Sequence, residues 1–134
     1  MSIPVSMVLA ERVAEQMNPE QLVTSLELSK RLKEASFPQG DSYFVWLEIL
    51  KNEWEIFVDK NLDPRDRPAS IAAPTIGELG EALPVGVQYS RYINGYQAKY
   101  DRYEMSIFDK RPVDPLAKMY LYLKTNGYLE VPDG

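Results

Sequence analysis

The chain has 134 residues, of which 45% are hydrophobic and 26% are charged, and its formal net charge is −5 at pH 7. These proportions are typical of a globular domain and exclude a fibrous repeat or a wholly disordered chain. The net negative charge disfavours nucleic acid as a partner, because a surface that binds duplex phosphates is built from Lys and Arg.

Cysteine and histidine are both absent from the sequence. Their absence excludes disulfides, thiolate and imidazole catalysis, and the usual zinc and iron–sulfur ligand sets. The sequence also lacks a stretch of about 20 apolar residues and a basic region before an apolar N-terminal core. We therefore expect a cytoplasmic protein that makes no use of a membrane.

Helical periodicity is found first at residues 7–17, and Asn18-Pro19 ends that segment. Thr24 and Glu27 have the spacing of a capping box, which predicts a helix over 25–35. We expect a single α+β domain over residues 1–134, in which 1–20 is a candidate for a separate N-terminal helical arm.

Residues 43–59 allow two interpretations. Their aromatic and β-branched content favours two strands around 51–53, which we prefer. However, Glu48, Lys51, Asn52, Glu55 and Asp59 lie on one side of a helical projection, so an amphipathic helix remains the alternative.

The segment 72–84 has a proline near each end and predicts a short helix. Thr75 and Glu78 form a second capping box, and Pro84 ends the helix. Gly77 and Gly80 lack the Lys-Ser/Thr that completes a phosphate-binding loop. We interpret them as small residues that let the helix approach the sheet closely.

Residues 87–103 contain the strongest strand pattern in the chain. Asn94-Gly95 between two strand-like runs predicts a type I′ hairpin, because both central residues of that turn need positive φ. In this register Ile93 pairs with Tyr96 and Arg91 pairs with Ala98.

The last helix is predicted at 116–126. Asp114 is its expected N-cap, Pro115 occupies the first helical position, and Gly127 is the expected left-handed stop. The fold class is therefore predicted as α+β, with an antiparallel sheet of two hairpins covered by three or four helices.

Several acidic groups are candidates for chemical sites. Asp59, Asp63 and Asp66 are oxygen donors, but their spacing matches no calcium loop, and we interpret them as a solvated loop that pairs with Arg65 and Arg67. Two carboxylate pairs are better interpreted as exposed side chains than as an acid and a base: Glu53 with Glu55, and Asp101 with Glu104. We predict no metal, no cofactor and no catalytic residue.

Tyrosine and arginine are concentrated in the second hairpin. Both residue types are enriched in binding hot spots, and Arg also binds phosphate. The structural interpretation is a sheet whose inner face packs on helices, and the functional one is a binding surface. The candidate residues for this surface are Tyr89, Arg91, Tyr92, Tyr96, Tyr100, Arg102 and Tyr103.

Three segments resemble a group of small uncharacterised proteins from phages, prophages and mobile elements. The segments are 28–39 (LSKRLKEASFPQ), 72–79 (AAPTIGEL) followed by Leu83-Pro84, and 116–129, with Leu116-Ala117 and LYLKTNGYL. The shared order covers about residues 22–129, and the group typically has glycine where this chain has Ser36. The resemblance implies a common fold and provides no catalytic residue.

The leading hypothesis is a non-enzymatic binding or accessory protein of phage or mobile-element origin, acting on an unidentified protein partner in the host cytoplasm. A homodimer is compatible with the sequence. The alternative is a nucleotide- or anion-binding protein of the sponge type, or a weak carboxylate- or metal-dependent hydrolase. A pocket with stacked tyrosines beside Arg91 or Arg102 would favour nucleotide binding, whereas an exposed tyrosine patch would favour a protein partner.

Overall fold

A computed structural model describes residues 19–40 and 42–129, so the predicted helix at 7–17 and most of the predicted arm lie outside the described residues. The α+β class is confirmed. The helices are α1 (Pro19–Leu22), α2 (Leu26–Glu34), α3 (Ile76–Ala82) and α4 (Asp114–Thr125). The strands are β1 (Phe44–Leu50), β2 (Glu53–Val58), β3 (Ser70–Ala73), β4 (Val87–Tyr92), β5 (Gly95–Tyr100) and β6 (Met105–Asp109).

The two predicted hairpins belong to separate antiparallel sheets and do not share one sheet. The first sheet has the order β2-β1-β3, and the second has the order β4-β5-β6. β1 and β5 are central because each also pairs with a third strand, β3 or β6, that follows its hairpin along the chain. Each central strand is thus paired on both sides, which leaves neither available to join the other hairpin.

Residues 43–58 form the hairpin and not the alternative helix. β1 and β2 are joined by Lys51-Asn52, and Asn52 takes a φ of 63°. The pairing places Trp46 opposite both Ile56 and Ile71. These apolar side chains share one sheet face, and burying that face outweighs the helical polar stripe.

The first sheet is joined to α2 through buried polar groups as well as apolar packing. Trp46 Nε1 donates to the carbonyl of Thr24 at 3.1 Å, and the Thr24 and Ser29 hydroxyls are 2.5 Å apart. The predicted Thr24 capping box is wrong, because this hydroxyl is used in the core. Ser25 is the N-cap instead, and it accepts the N–H of Leu28.

The larger core joins three helices to the inner face of the second sheet. α4 is its central element, since Leu116, Met119 and Leu123 are almost completely buried. Leu32 of α2 and Leu79 of α3 are also fully buried in this cluster. The position of α4 therefore determines which face of the second sheet is inner.

Asp114 begins α4 but does not cap it, contrary to the prediction. The N-cap is Val113, and the Asp114 carboxylate accepts the backbone N–H of Ser25 at 3.0 Å. Its other oxygen lies 3.2 Å from Arg111 Nε. Burial raises the pKa of Asp114, although the Ser25 N–H and Arg111 oppose that increase. The residue ties the start of α4 to the start of α2.

The predicted capping box of α3 is confirmed. Thr75 accepts the N–H of Glu78, and the Glu78 carboxylate accepts the Thr75 N–H at 3.0 Å. The second Glu78 oxygen also accepts the Tyr43 N–H at 2.8 Å. The close-approach interpretation of Gly77 and Gly80 is wrong, because a Cβ added at Gly80 would have no neighbour within 4 Å and one at Gly77 would touch only Thr75 Oγ1.

Candidate functional site

The second hairpin turns one residue earlier than its Asn-Gly pair predicts. Ile93 and Asn94 form the turn, neither has positive φ, and Gly95 is already in β5 opposite Tyr92. The type I′ prediction is therefore wrong, and the strand register moves by two residues. Gly95 is needed for packing, since an added Cβ would lie 2.4 Å from Phe108 Cζ. A two-residue shift keeps the predicted division of side chains between the faces.

The seven predicted site residues do not form one surface. The pairing and burial of the strands divide them among four places. Tyr89, Arg91 and Tyr96 lie on the inner face of the sheet, outside its most deeply buried part. Tyr92 is on the outer face, and Tyr100 is in the core. Arg102 and Tyr103 lie in the 3-10 turn Asp101–Tyr103.

Tyr89 is held by neighbouring groups of the fold. Its hydroxyl donates to the Pro112 carbonyl at 2.5 Å, and its ring stacks on Tyr96 at 6.0 Å between centroids and an interplanar angle of 13°. Burial raises the pKa of Tyr89 to about 12, with a further contribution from Tyr96 and an opposing one from Arg91. Tyr89 is thus a neutral phenol that ties β4 to the segment before α4.

Tyr100 and Tyr103 also have structural partners. Tyr100 is 5% exposed and contacts the Tyr103 ring edge to face at 5.5 Å. Tyr103 stacks on Tyr128 at 4.0 Å with an interplanar angle of 4°, and the Arg102 guanidinium lies 5.5 Å from the Tyr103 ring centroid. These contacts fasten the segment after α4 to the second sheet.

The outer face of the second sheet carries two exposed aromatic side chains that lie side by side. Tyr92 is 49% exposed, Phe108 is 46% exposed, and their ring centroids are 6.4 Å apart. The Tyr92 hydroxyl donates to Gln97 Oε1 at 3.0 Å, and Gln97 Nε2 donates to Ser106 Oγ at 2.5 Å. Ile93 at the hairpin tip is fully exposed. We call these five residues the outer patch.

Tyr92 is the one outer-patch residue among the predicted site residues. Ser106 and Phe108 were missed because no strand was predicted after Tyr103, and Ile93 and Gln97 were predicted in the hairpin but not as site residues. β6 is short, and Met105 and Ile107 alternate with exposed residues along it. That alternation was the available signal for a half-buried strand. Pairing with β5 then places Phe108 opposite Gln97.

The acidic loop has the internal pairs that the sequence predicted. Asp63 Oδ2 lies 3.0 Å from Arg65 Nη2, and Asp59 Oδ1 lies 2.9 Å from Arg67 Nη1. Hydrogen bonds from Arg65 lower the pKa of Asp63. Among residues 19–40 and 42–129, no group of three or more acidic side chains is arranged to hold a metal ion.

A groove of about 390 Å³ runs between α4 and β6, and we call it the α4 groove. Its walls are Arg31, Met105, Ile107, Lys118, Leu121, Tyr122, Thr125 and Asn126. Lys118 Nζ lies 2.6 Å from Asp109 Oδ2. Burial by itself would raise the pKa of Asp109, but hydrogen bonds from Lys118 and from the backbone N–H of Arg111 lower it overall.

Two further cavities, of about 320 and 240 Å³, are both lined by Ser42 and Glu78. Arg91 and Arg102 line none of these three cavities.

The described residues contain no helix that is both long and apolar enough to cross a membrane. Comparisons with protein-family models, with curated proteins and with solved structures find no match to the chain.

Proposed function

We propose that this chain is a non-enzymatic binding protein, an accessory factor of phage or mobile-element origin that contacts another protein through the outer patch. The observation that carries this proposal is the exposure of Tyr92 and Phe108 side by side on a sheet face that looks toward solvent. Clustered aromatic residues of this kind are typical of interaction sites, and Tyr is enriched among binding hot spots.

The outer patch is also organised before any partner arrives. The hydrogen-bond chain from Tyr92 through Gln97 to Ser106 limits the orientations of the Tyr92 ring. A side chain that is already ordered loses less conformational entropy on binding. The proposed surface therefore combines apolar area with a low ordering cost.

The remaining predictions about function have less support. A base-stacking site needs free ring faces, yet Tyr89 stacks on Tyr96 and Tyr103 stacks on Tyr128. The nucleotide-binding and hydrolase alternatives stay predictions, as does a homodimer. The host cytoplasm is the proposed place of action, and it follows from the proposed phage or mobile-element origin.

The experiment that tests the proposal is affinity capture from a bacterial host lysate with three forms of the protein. The patch variant is Tyr92→Ser/Phe108→Ser. The matched control is Ile49→Ser/Leu50→Ser, which removes two apolar side chains that are 42% and 63% exposed on the first sheet. Thermal unfolding establishes that all three forms are folded.

We expect the wild type and the control to recover the same protein, and the patch variant to lose it. Recovery of the same protein by all three forms would contradict the proposed role of the outer patch. Recovery of no protein by any form would contradict the binding function itself.

A further inference from the structure

β6 lies at an edge of the second sheet in the described part of the chain, with β5 on its other side. The outward N–H and C=O groups of such a strand are available to another strand. Edge strands usually carry a lysine, a proline or a bulge that prevents pairing with another chain. The sequence of β6, Met-Ser-Ile-Phe-Asp, has no lysine or proline, and its pairing with β5 is regular. Its one charged side chain, Asp109, is at the end of the strand and is paired with Lys118.

We propose that an extended acidic peptide segment of a partner protein adds to β6 as a fourth strand of the second sheet. This inference rests on the proposed function and specifies its partner. Main-chain hydrogen bonds to the edge supply affinity in this mode of recognition, and alternate side chains of the peptide supply specificity.

The two faces of β6 explain why a strand suits this edge. Met105 and Ile107 point to the inner side and line the α4 groove, whereas Ser106 and Phe108 belong to the outer patch. Successive side chains of an added strand point to opposite faces of the sheet. One extended segment would therefore place every second side chain in the α4 groove and the others beside Phe108.

The charge of the α4 groove selects acidic side chains. Arg31 and Lys118 are its charged wall residues, and no carboxylate of the described residues lines it. Lys118 is paired with Asp109, whereas the Arg31 guanidinium makes no ion pair with any described residue. A guanidinium can bind a carboxylate through two parallel hydrogen bonds. In a chain with a net charge of −5, this groove is a local cationic site.

The test uses fluorescence anisotropy of the full chain with a fluorescein-labelled heptapeptide of alternating valine and glutamate. A second peptide has lysine in place of glutamate. Two further forms of the first peptide carry N-methyl groups on alternate amides, one in each phase, because only alternate amides of an added strand face the sheet edge.

We expect saturable binding of the glutamate peptide, and binding of the lysine peptide that is weaker by at least about tenfold. N-methylation should weaken binding in one phase and have little effect in the other. Failure of the glutamate peptide to bind, or equal binding of the lysine peptide, would overturn the proposal. Equal effects of the two methylation phases would overturn strand addition.

Protein variants locate the contact. Arg31→Glu should weaken binding of the glutamate peptide by at least about tenfold, because a charge-assisted hydrogen bond is replaced by repulsion. Lys33→Glu is the matched control, since it makes the same charge change in the last turn of α2 and lies outside the groove wall. Equal loss in both variants would show a general charge effect and overturn the assignment to the groove.

Two results distinguish this inference from the proposed function. If the peptide fails to bind but the outer patch captures a partner, the strand-addition inference fails and the binding function stands. If sedimentation shows a dimer that the glutamate peptide dissociates, the edge belongs to a second copy of this chain, which would overturn the assignment to a partner protein.

Discussion

The end of α2 contains a left-handed serine whose replacement by glycine should stabilise the protein. Ser36 has a φ of 68° and follows the C-cap residue Ala35. The Ser36 N–H donates to the Lys33 carbonyl at 3.0 Å, and the Phe37 N–H donates to the Leu32 carbonyl at 2.9 Å. These are the two hydrogen bonds of a Schellman motif, in which glycine is the preferred residue at the left-handed position.

The expected magnitude is the difference between two opposing terms. A residue with a Cβ costs about 1–2 kcal/mol more than glycine in the left-handed region. Glycine in turn makes the unfolded chain more flexible, which costs about 0.4–1 kcal/mol. Both hydrogen bonds of the motif are made by the backbone and survive the substitution. Ser36→Gly should therefore raise the free energy of unfolding by about 0.5–1 kcal/mol.

α4 provides the reverse experiment in the same molecule. Gly127 has a φ of 73°, its N–H donates to Lys124, and the Tyr128 N–H donates to the Leu123 carbonyl at 2.7 Å. A Cβ at Gly127 would meet nothing within 4 Å, so the substitution adds no steric clash. Gly127→Ser should lower the free energy of unfolding by about the same 0.5–1 kcal/mol.

Urea denaturation of the wild type and both variants measures these changes, with a constant m-value as the requirement for comparing midpoints. The corresponding change in Tm is about 2–4 °C for a chain of this length. If Ser36→Gly had no effect while Gly127→Ser destabilised the protein, the Ser36 side chain would be making a compensating interaction. No effect of either substitution would refute the conformational argument.

Three other substitutions have expected effects. Gly95→Ala should destabilise the protein by about 2–3 kcal/mol, because its Cβ would lie 2.4 Å from Phe108 Cζ and 2.7 Å from a backbone oxygen. Asp114→Asn should remove a pH-dependent contribution to the free energy of unfolding. As pH falls, the Asp114 carboxyl takes up its proton earlier in the folded state than in the unfolded state, because burial raises its pKa. The stability of the wild type should therefore rise relative to the variant as pH falls from neutral toward 3.8. Tyr89→Phe should cost about 1 kcal/mol for its lost hydrogen bond and abolish the phenol titration near pH 12.

Urea unfolding measures the first two effects, at one pH for the glycine substitution and over a pH series for the aspartate substitution. Gly80→Ala is the control for Gly95→Ala, because a Cβ at Gly80 meets nothing within 4 Å and alanine favours a helix. If the free energies of unfolding of the wild type and Asp114→Asn changed in parallel with pH, that result would contradict the raised pKa of the Asp114 carboxyl. Tyrosinate absorbance follows the Tyr89 titration, and an unchanged titration in Tyr89→Phe would contradict the assignment.

Local signals in the sequence predicted local structure well. Thr75 with Glu78 began α3 as expected, and Gly127 ended α4, because capping groups are satisfied within a few residues of the helix end. The errors occurred where another residue of the core takes the capping group. The Thr24 hydroxyl pairs with the Ser29 hydroxyl, and the Asp114 carboxylate accepts the N–H of Ser25, which is distant in the sequence.

The hairpin turn shows the same competition at longer range. Asn94-Gly95 has the composition of a type I′ turn, yet Gly95 is required inside β5 because Phe108 from the next strand lies against its backbone. No residue near position 95 signals that contact. The turn consequently forms at Ile93-Asn94.

The sequence by itself determined the α+β class, the second hairpin and the exclusion of cysteine and histidine chemistry, whereas for residues 43–58 it only favoured a hairpin over a helix. It also determined which side chains of the second hairpin share a face, because that depends only on the alternation along a strand. Which face is exposed was decided by tertiary structure. Tyrosines lie on both faces, so only the packing of α4 buries Tyr100 and leaves Tyr92 and Phe108 in contact with solvent.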